Sequence, residues 1–161
     1  MTGAAVDKAA LQAELVAQLA AALASAQRAH AAALEGATHT EARAENSKDT
    51  RGLELSYLAR GQAQRVAELE AGLAAVTALA LRRFAPTDPI ALGALVAIDD
   101  DGEAKRLFVA PHGGGSVVGD AVQVVTPSSP LGRALLGKRV DDEVELRLPG
   151  RLRTLLVTAI A

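Results

Sequence analysis

The chain has 161 residues, 50% of them hydrophobic but only 2% aromatic. Alanine, leucine and valine are therefore the core material for one ordinary domain or two small ones, and sites needing an aromatic cage or stacking platform are excluded. A net charge of −2 excludes a basic coat for direct DNA binding, and the absence of cysteine excludes disulfides, thiolate metal sites and cysteine nucleophiles.

The N-terminus has no basic start followed by an apolar block, so no secretory signal is expected. The longest clean apolar run, Ala71 to Leu81, is shorter than the roughly 20 residues a bilayer helix needs. The expectation is a cytoplasmic protein with no membrane partner. From Ala4 to Phe84 the sequence is rich in Ala, Leu, Glu, Gln and Arg, and proline is absent. These are good helix formers. Leu15, Leu19, Ala22, Ala26, Ala29 and Ala33 recur at alternating spacings of four and three, and so do Leu55, Ala59, Gln62, Val66, Leu69, Leu73, Val76 and Ala80. Each series is an a/d seam on an arm of about 30 residues, roughly 45 Å long. Between the arms, Glu35 to Thr40 and Glu45 to Thr50 are cap and turn chemistry. The spacing predicts an antiparallel helical hairpin over 1–84 with its tip at about 36–50.

Ala85-Pro86-Thr87-Asp88-Pro89 reads as a linker at 85–89, because a residue before proline is pushed out of helical geometry. A compact domain is expected over 90–161. Ala91 to Ile98 and Lys105 to Ala110 read as strands around an Asp99-Asp100-Asp101-Gly102 turn. His112 to Ser116 reads as a flexible loop and Ala121 to Thr126 as a third strand. Ser129 suits an N-cap, Pro130 the first helical position and Gly137 the residue past the end, so 129–137 holds a short helix. Asp142 to Leu148 and Leu152 to Ile160 form a final hairpin around Pro149-Gly150-Arg151. The fold class expected is α+β: a coiled-coil hairpin, then a mostly antiparallel sheet of about five strands on one helix.

Several chemistries lack their residues. His30, His39 and His112 lie in unrelated segments without ligand spacing. Gly113-Gly114-Gly115 lacks the Gly-Lys-Ser/Thr ending of a phosphate loop. Asp99 to Asp101 could hold calcium, but a turn explains them equally.

The phrase Ser129-Pro130-Leu131-Gly132-Arg133-Ala134-Leu135-Leu136-Gly137-Lys138, with Asp142-Glu143-Val144 and Leu148-Pro149-Gly150 after it, resembles the C-terminal domain of the Gre transcript-cleavage factors. Glu41-Ala42-Arg43, Glu45-Asn46, Gly61 and Arg65 to Glu70 resemble their coil tip and second coil helix. Rnk-type regulators share the C-terminal phrase but have a much shorter coil, so the long hairpin favours Gre. The resemblance implies an FKBP-like C-terminal domain that docks on bacterial RNA polymerase at the rim of the secondary channel. It also implies a coil that enters the channel, where acidic tip residues help hold a second magnesium ion near the nascent RNA 3′ end. The factor then has no cofactor of its own and is not a nuclease by itself. Prolyl isomerase activity does not follow from an FKBP-like fold: it needs an aromatic-walled pocket, and Phe108 is the one aromatic residue after the linker.

The resemblance admits two tip registers. In one, Glu45 beside Asn46 is the tip glutamate, and the partner aspartate is replaced by Ala42. In the other, counted back from Arg65, Glu45 takes the aspartate position and forms an acidic pair with Asp49. Glu41 is an adjacent carboxylate, and Lys48 among them would weaken metal affinity. The residues read alone also allow Glu45 and Asp49 simply to complement the dipole of the second helix, with Asp49 or Thr50 as its cap. For docking, the resemblance implies the Ser-Pro turn, here Ser128, Ser129 and Pro130, with Arg133 added from the exposed helix face. Two functions remain open: stimulation of transcript cleavage by a monomer, and non-cleaving regulation that occupies the channel and competes with cleavage factors.

Overall fold

The computed structural model describes the backbone of residues 5–43 and 51–161, and the side chains of 5–39 and 51–161. Two helices come first, α1 (Lys8–Arg43) and α2 (Arg51–Thr77). The rest is β1 (Leu95–Asp100), β2 (Glu103–Val109), β3 (Val117–Val118), β4 (Val122–Val125), α3 (Pro130–Leu135), β5 (Glu143–Leu148) and β6 (Arg151–Ile160). The fold class is α+β, as the sequence predicts. The chain divides into two compact units, Ala17–Ala74 and Met1–Val16 with Ala75–Ala161.

The first unit is a helical hairpin with an alanine-rich seam. Leu19, Ala26, Ala33 and Ala37 are buried on α1, and Ala59 and Leu69 on α2. Leu55, Gln62, Val66 and Leu73 are half-buried, as their spacing predicts. Ala29 is exposed, and the neighbouring His30 lies nearer the seam. The arms run antiparallel, with His30, Leu34, Ala37 and Thr38 lining one groove with Ser56, Ala59, Arg60 and Ala63.

Residues 35–40, read from sequence as turn chemistry, are helical. A single glycine costs a helix only about 1 kcal/mol relative to alanine, which buried seam positions on either side can offset. Thr38 turns its hydroxyl onto the Leu34 carbonyl at 2.9 Å, so its side chain no longer competes for a turn. At Gly36, an added Cβ would meet Leu55 at 3.8 Å, ordinary contact, so the glycine is a tolerated seam residue and not a break.

The second unit joins the hairpin root to a six-stranded sheet in the order β3-β4-β2-β1-β6-β5. All pairs are antiparallel except β2 with β4. The β1–β2 turn has Asp101 at φ 57° and Gly102 at φ 86°. That is the two-residue turn whose twist matches its strands, and Asp and Gly tolerate it best. The core between α3 and the sheet comprises Phe84, Ile90, Val96, Ile98, Leu107, Val109, Leu135, Val144, Leu155 and Val157, among others. Phe108, on the opposite face of β2 from Leu107 and Val109, is also fully buried. Two-sided burial accounts for the unbroken apolar end of β2, Leu107-Phe108-Val109.

Helix α2 ends at Thr77, although Ala78 to Leu81 are strong helix formers. Tertiary contacts override propensity here. The Gln12 amide donates to the carbonyls of Val76 (2.8 Å) and Leu79 (2.9 Å). Lys8 donates to the carbonyls of Arg82 and Gly93. Phe84 leaves the helical path to enter the core, under the Arg82 guanidinium at 3.9 Å and the Lys8 ammonium at 4.9 Å. Burial lowers the Lys8 pKa from its ordinary value, and Arg82 adds to that.

By length and composition, α1 over Lys8–His39 is also apolar enough to cross a membrane, which the expectation drawn from Ala71–Leu81 passed over. Its apolarity is mostly alanine, and Glu14, Arg28 and Glu35 interrupt it. Leu11 and Leu15 are buried in the second unit, and the Glu14 carboxylate accepts the Gly119 N–H at 2.7 Å. At this end, then, the apolar face of α1 packs against protein.

Candidate functional site

Local hydrogen bonding fixes the turn from β4 into α3. Ser129 is the N-cap, with extended backbone, and its hydroxyl accepts from the Gly132 N–H at 3.0 Å. The same hydroxyl donates to the Thr126 carbonyl at 2.9 Å. Pro130 takes the first helical position, where no N–H is missed. Gly132 lies so close beneath the turn that an added Cβ would fall 1.8 Å from the Thr126 oxygen. Past the helix, Gly137 adopts φ 81°, the left-handed stop that the sequence predicts.

This geometry separates the four expected docking residues into two kinds. Ser129 is half-buried, and its hydroxyl is spent on the cap. Ser128, Pro130 and Arg133 are exposed. Ser128 shares a hydrogen bond with the Thr126 hydroxyl at 3.0 Å, which orients it on the surface. The outward chemistry of the turn is thus one hydroxyl, one proline ring and one guanidinium within a single short segment. Such a surface suits a protein contact with an acidic or polar fringe.

The loop at 112–115 lies beside this turn: a Cβ on Gly114 would meet the Thr126 side chain at 3.2 Å. His112 in that loop has a buried Nδ1 without a hydrogen-bond partner. In the sequence His112 only opens a loop read as flexible and lacks metal-ligand spacing, so no local pattern marks its buried nitrogen. On its other side the loop meets the hairpin root, where a Cβ on Gly113 (φ 89°) would lie 2.7 Å from Leu15.

The tip residues can be placed only in part. Glu41 is on the last turn of α1, with its side chain outside the described residues. Glu45 and Asp49 lie outside the described residues altogether. Among the described residues, no group of three or more His, Asp or Glu could hold a metal ion.

The aspartates weighed for calcium have other work. Asp99 accepts the Gly102 N–H at 2.7 Å and closes the β1–β2 turn. Asp100 is buried and holds Arg153, along with Lys105 at 2.7 Å. The Arg153 and Lys105 hydrogen bonds hold its carboxyl below the usual carboxylate range, against burial, which pushes the other way. A hollow of about 680 Å³ opens above this trio, with Asp101, Glu103 and Arg151 on its walls. Its charges are mixed and largely paired internally.

Residues 85–161 match the family model "Transcription elongation factor, GreA/GreB, C-term". Residues 85–161 are thus a GreA/GreB C-terminal domain. The "Transcription elongation factor GreA" of Sphingopyxis alaskensis is 39% identical over 75 residues, 45% of this chain and 45% of that protein. The protein of the same name from Novosphingobium aromaticivorans is 36% identical over 75 residues, again 45% of each. The matched part is thus less than half the length of these curated relatives. The crystal structure of GreA factor homolog 1 of Thermus thermophilus aligns over 91% of this chain and 94% of its own, at 22% identity and a TM-score of 0.39. The GreA/GreB factor of Nitrosomonas europaea aligns over 67% and 91%, at 22% and 0.38. Both superpositions are loose. The capped Ser129-Pro130 turn and the Leu148-Pro149-Gly150 hairpin both lie inside the matched Gre domain.

Proposed function

We propose that the chain is a transcription elongation factor that binds bacterial RNA polymerase at the secondary channel and stimulates cleavage of backtracked RNA by the polymerase. The observation that carries this reading is the Gre domain at 85–161, preceded by two long helices in series. In this reading the exposed Ser128, Pro130 and Arg133 make the docking contact, and the Ser129 cap holds them in place. The tip, with Glu41, Glu45 and Asp49, reaches the reaction. One or two tip carboxylates supply hard oxygen ligands to a magnesium ion held mainly by the polymerase, as two-metal phosphodiester hydrolysis requires. The chain needs no cofactor and no nuclease site of its own, and it acts in the cytoplasm.

A second reading has one specific observation in its favour. In the register set by Glu45-Asn46, Ala42 stands at the partner aspartate position. A tip with one carboxylate fewer holds a weakly bound metal poorly, and the same hairpin would then occupy the channel as a non-cleaving regulator.

Docking is tested by polymerase binding with Pro130→Ala and Arg133→Glu combined. Both side chains are exposed, so the domain stays folded. Loss of binding with an unchanged melting profile supports the dock. Wild-type binding by this variant sinks it.

A further inference from the structure

The sheet has two edges of unequal kind. At one edge β3 is only two residues long. At the other, among the described residues, β5 pairs with β6 alone, through six uninterrupted positions from Glu143↔Leu156 to Leu148↔Arg151. Its second row of backbone N–H and C=O groups faces away from β6. A regular free edge is a template for another strand, and proteins usually blunt it with proline, bulges or charge. Within β5 there is no proline and no bulge, so charge is the remaining guard.

The order of those charges is selective. Side chains alternate between faces, so Val144, Leu146 and Leu148 share the inner face while Glu143, Glu145 and Arg147 share the outer, exposed face. Consider a second β5 laid antiparallel about Leu146. Glu145 of each copy then lies opposite Arg147 of the other, on one face. Val144 meets Leu148 and Leu146 meets itself on the other face. Directly opposed ion pairs and apolar pairs are the favourable units of sheet pairing. Centring the pairing on Glu145 or Arg147 instead sets that charge against its own copy. Parallel pairing in register opposes glutamate to glutamate, and a one-residue slip puts charges on the apolar face. The pattern therefore favours antiparallel self-pairing about Leu146 over these alternatives.

We infer that β5 is a self-association edge, through which two copies of the chain form a weak two-fold dimer with a continuous sheet. A two-fold contact uses the same patch on both copies, and the Glu145 and Arg147 positions satisfy that self-complementarity. The contact is small, so the monomer dominates at dilution and the dimer appears as concentration rises.

Sedimentation of the full chain over a range of concentrations at low salt tests this. Wild type should show a reversible monomer–dimer equilibrium. Glu145→Arg alone, or Arg147→Glu alone, should weaken it by roughly tenfold or more, because both opposed pairs become like-charged. The double exchange, Glu145→Arg with Arg147→Glu, should restore association close to wild type. All three variants change exposed side chains, and circular dichroism verifies their folding. A monomer at every concentration overturns the inference. A dimer indifferent to the single exchanges, or not rescued by the double one, also overturns it.

Discussion

Ser129 shows how one hydroxyl can account for a motif. It closes the first turn of α3 and ties that turn back to Thr126, so the Ser-Pro pair has a structural cause independent of any partner. Ser129→Ala should cost about 1 kcal/mol of stability, read as a lower melting temperature. If docking follows Pro130 and Arg133, the folded fraction of this variant should still bind polymerase. Gly132 is more demanding, since a Cβ there meets backbone and not a flexible side chain. Gly132→Ala should destabilise by about 1–3 kcal/mol, and an unchanged melting temperature would contradict the close approach. Asp100 contributes a pH-dependent stability to this domain. Its folded pKa is depressed by Arg153 and then Lys105. Its contribution is therefore present above the ordinary carboxylate value of about 3.9 and is lost as pH falls through the depressed folded value. Asp100→Asn should be less stable at neutral pH by about 1–3 kcal/mol, and below about pH 4 its stability should converge on wild type. A constant gap between the two across that range would show that the Asp100 charge is not what Arg153 and Lys105 stabilise.

At the scale of elements, the sequence was most legible where the cause is local. The Ser129, Pro130 and Gly137 punctuation, the Asp101-Gly102 turn and most of the four-three seam are each decided by a few neighbouring residues and are found where their spacing places them, Ala29 and Ala80 being the exposed exceptions in the seam. It was least legible where distant residues decide. The polar run at 35–40 looks like a turn in isolation, but seam packing keeps it helical. The end of α2 at Thr77 is set by Gln12, more than sixty residues earlier. The parallel β2–β4 pairing and the short β3 depend on a loop path that no local pattern announces. Of the candidate docking residues, the Ser129 cap and the exposed Arg133 were legible in the sequence, whereas the exposure of Ser128 and Pro130 and the second bond of Ser129 to Thr126 needed the fold. Gln12→Ala removes both donors from the end of α2. It should cost about 1–2 kcal/mol and speed amide exchange around residues 76–79 more than in the sheet. Uniform exchange in both regions would mean that Gln12 does not hold that end.

For the whole molecule, the Gre domain and the helical hairpin divide the labour of the proposed function between a dock and a reach. The hairpin root, through Leu11, Gln12, Glu14 and Leu15, belongs to the same compact unit as the Gre domain. Of the candidate carboxylates, Glu41 belongs to α1, and Glu45 and Asp49 follow it in the sequence. The measurement that tests this most directly uses stalled, backtracked polymerase complexes with magnesium, and follows release of short 3′ RNA fragments. Wild type should release fragments, and Glu45→Ala should lose most of that release while still binding polymerase. Asp49→Ala losing it as well would fix the register with the Glu45–Asp49 pair. Absence of release by wild type, with bound factor slowing nucleotide addition, would contradict cleavage stimulation and leave the channel-occupying regulator as the reading that stands.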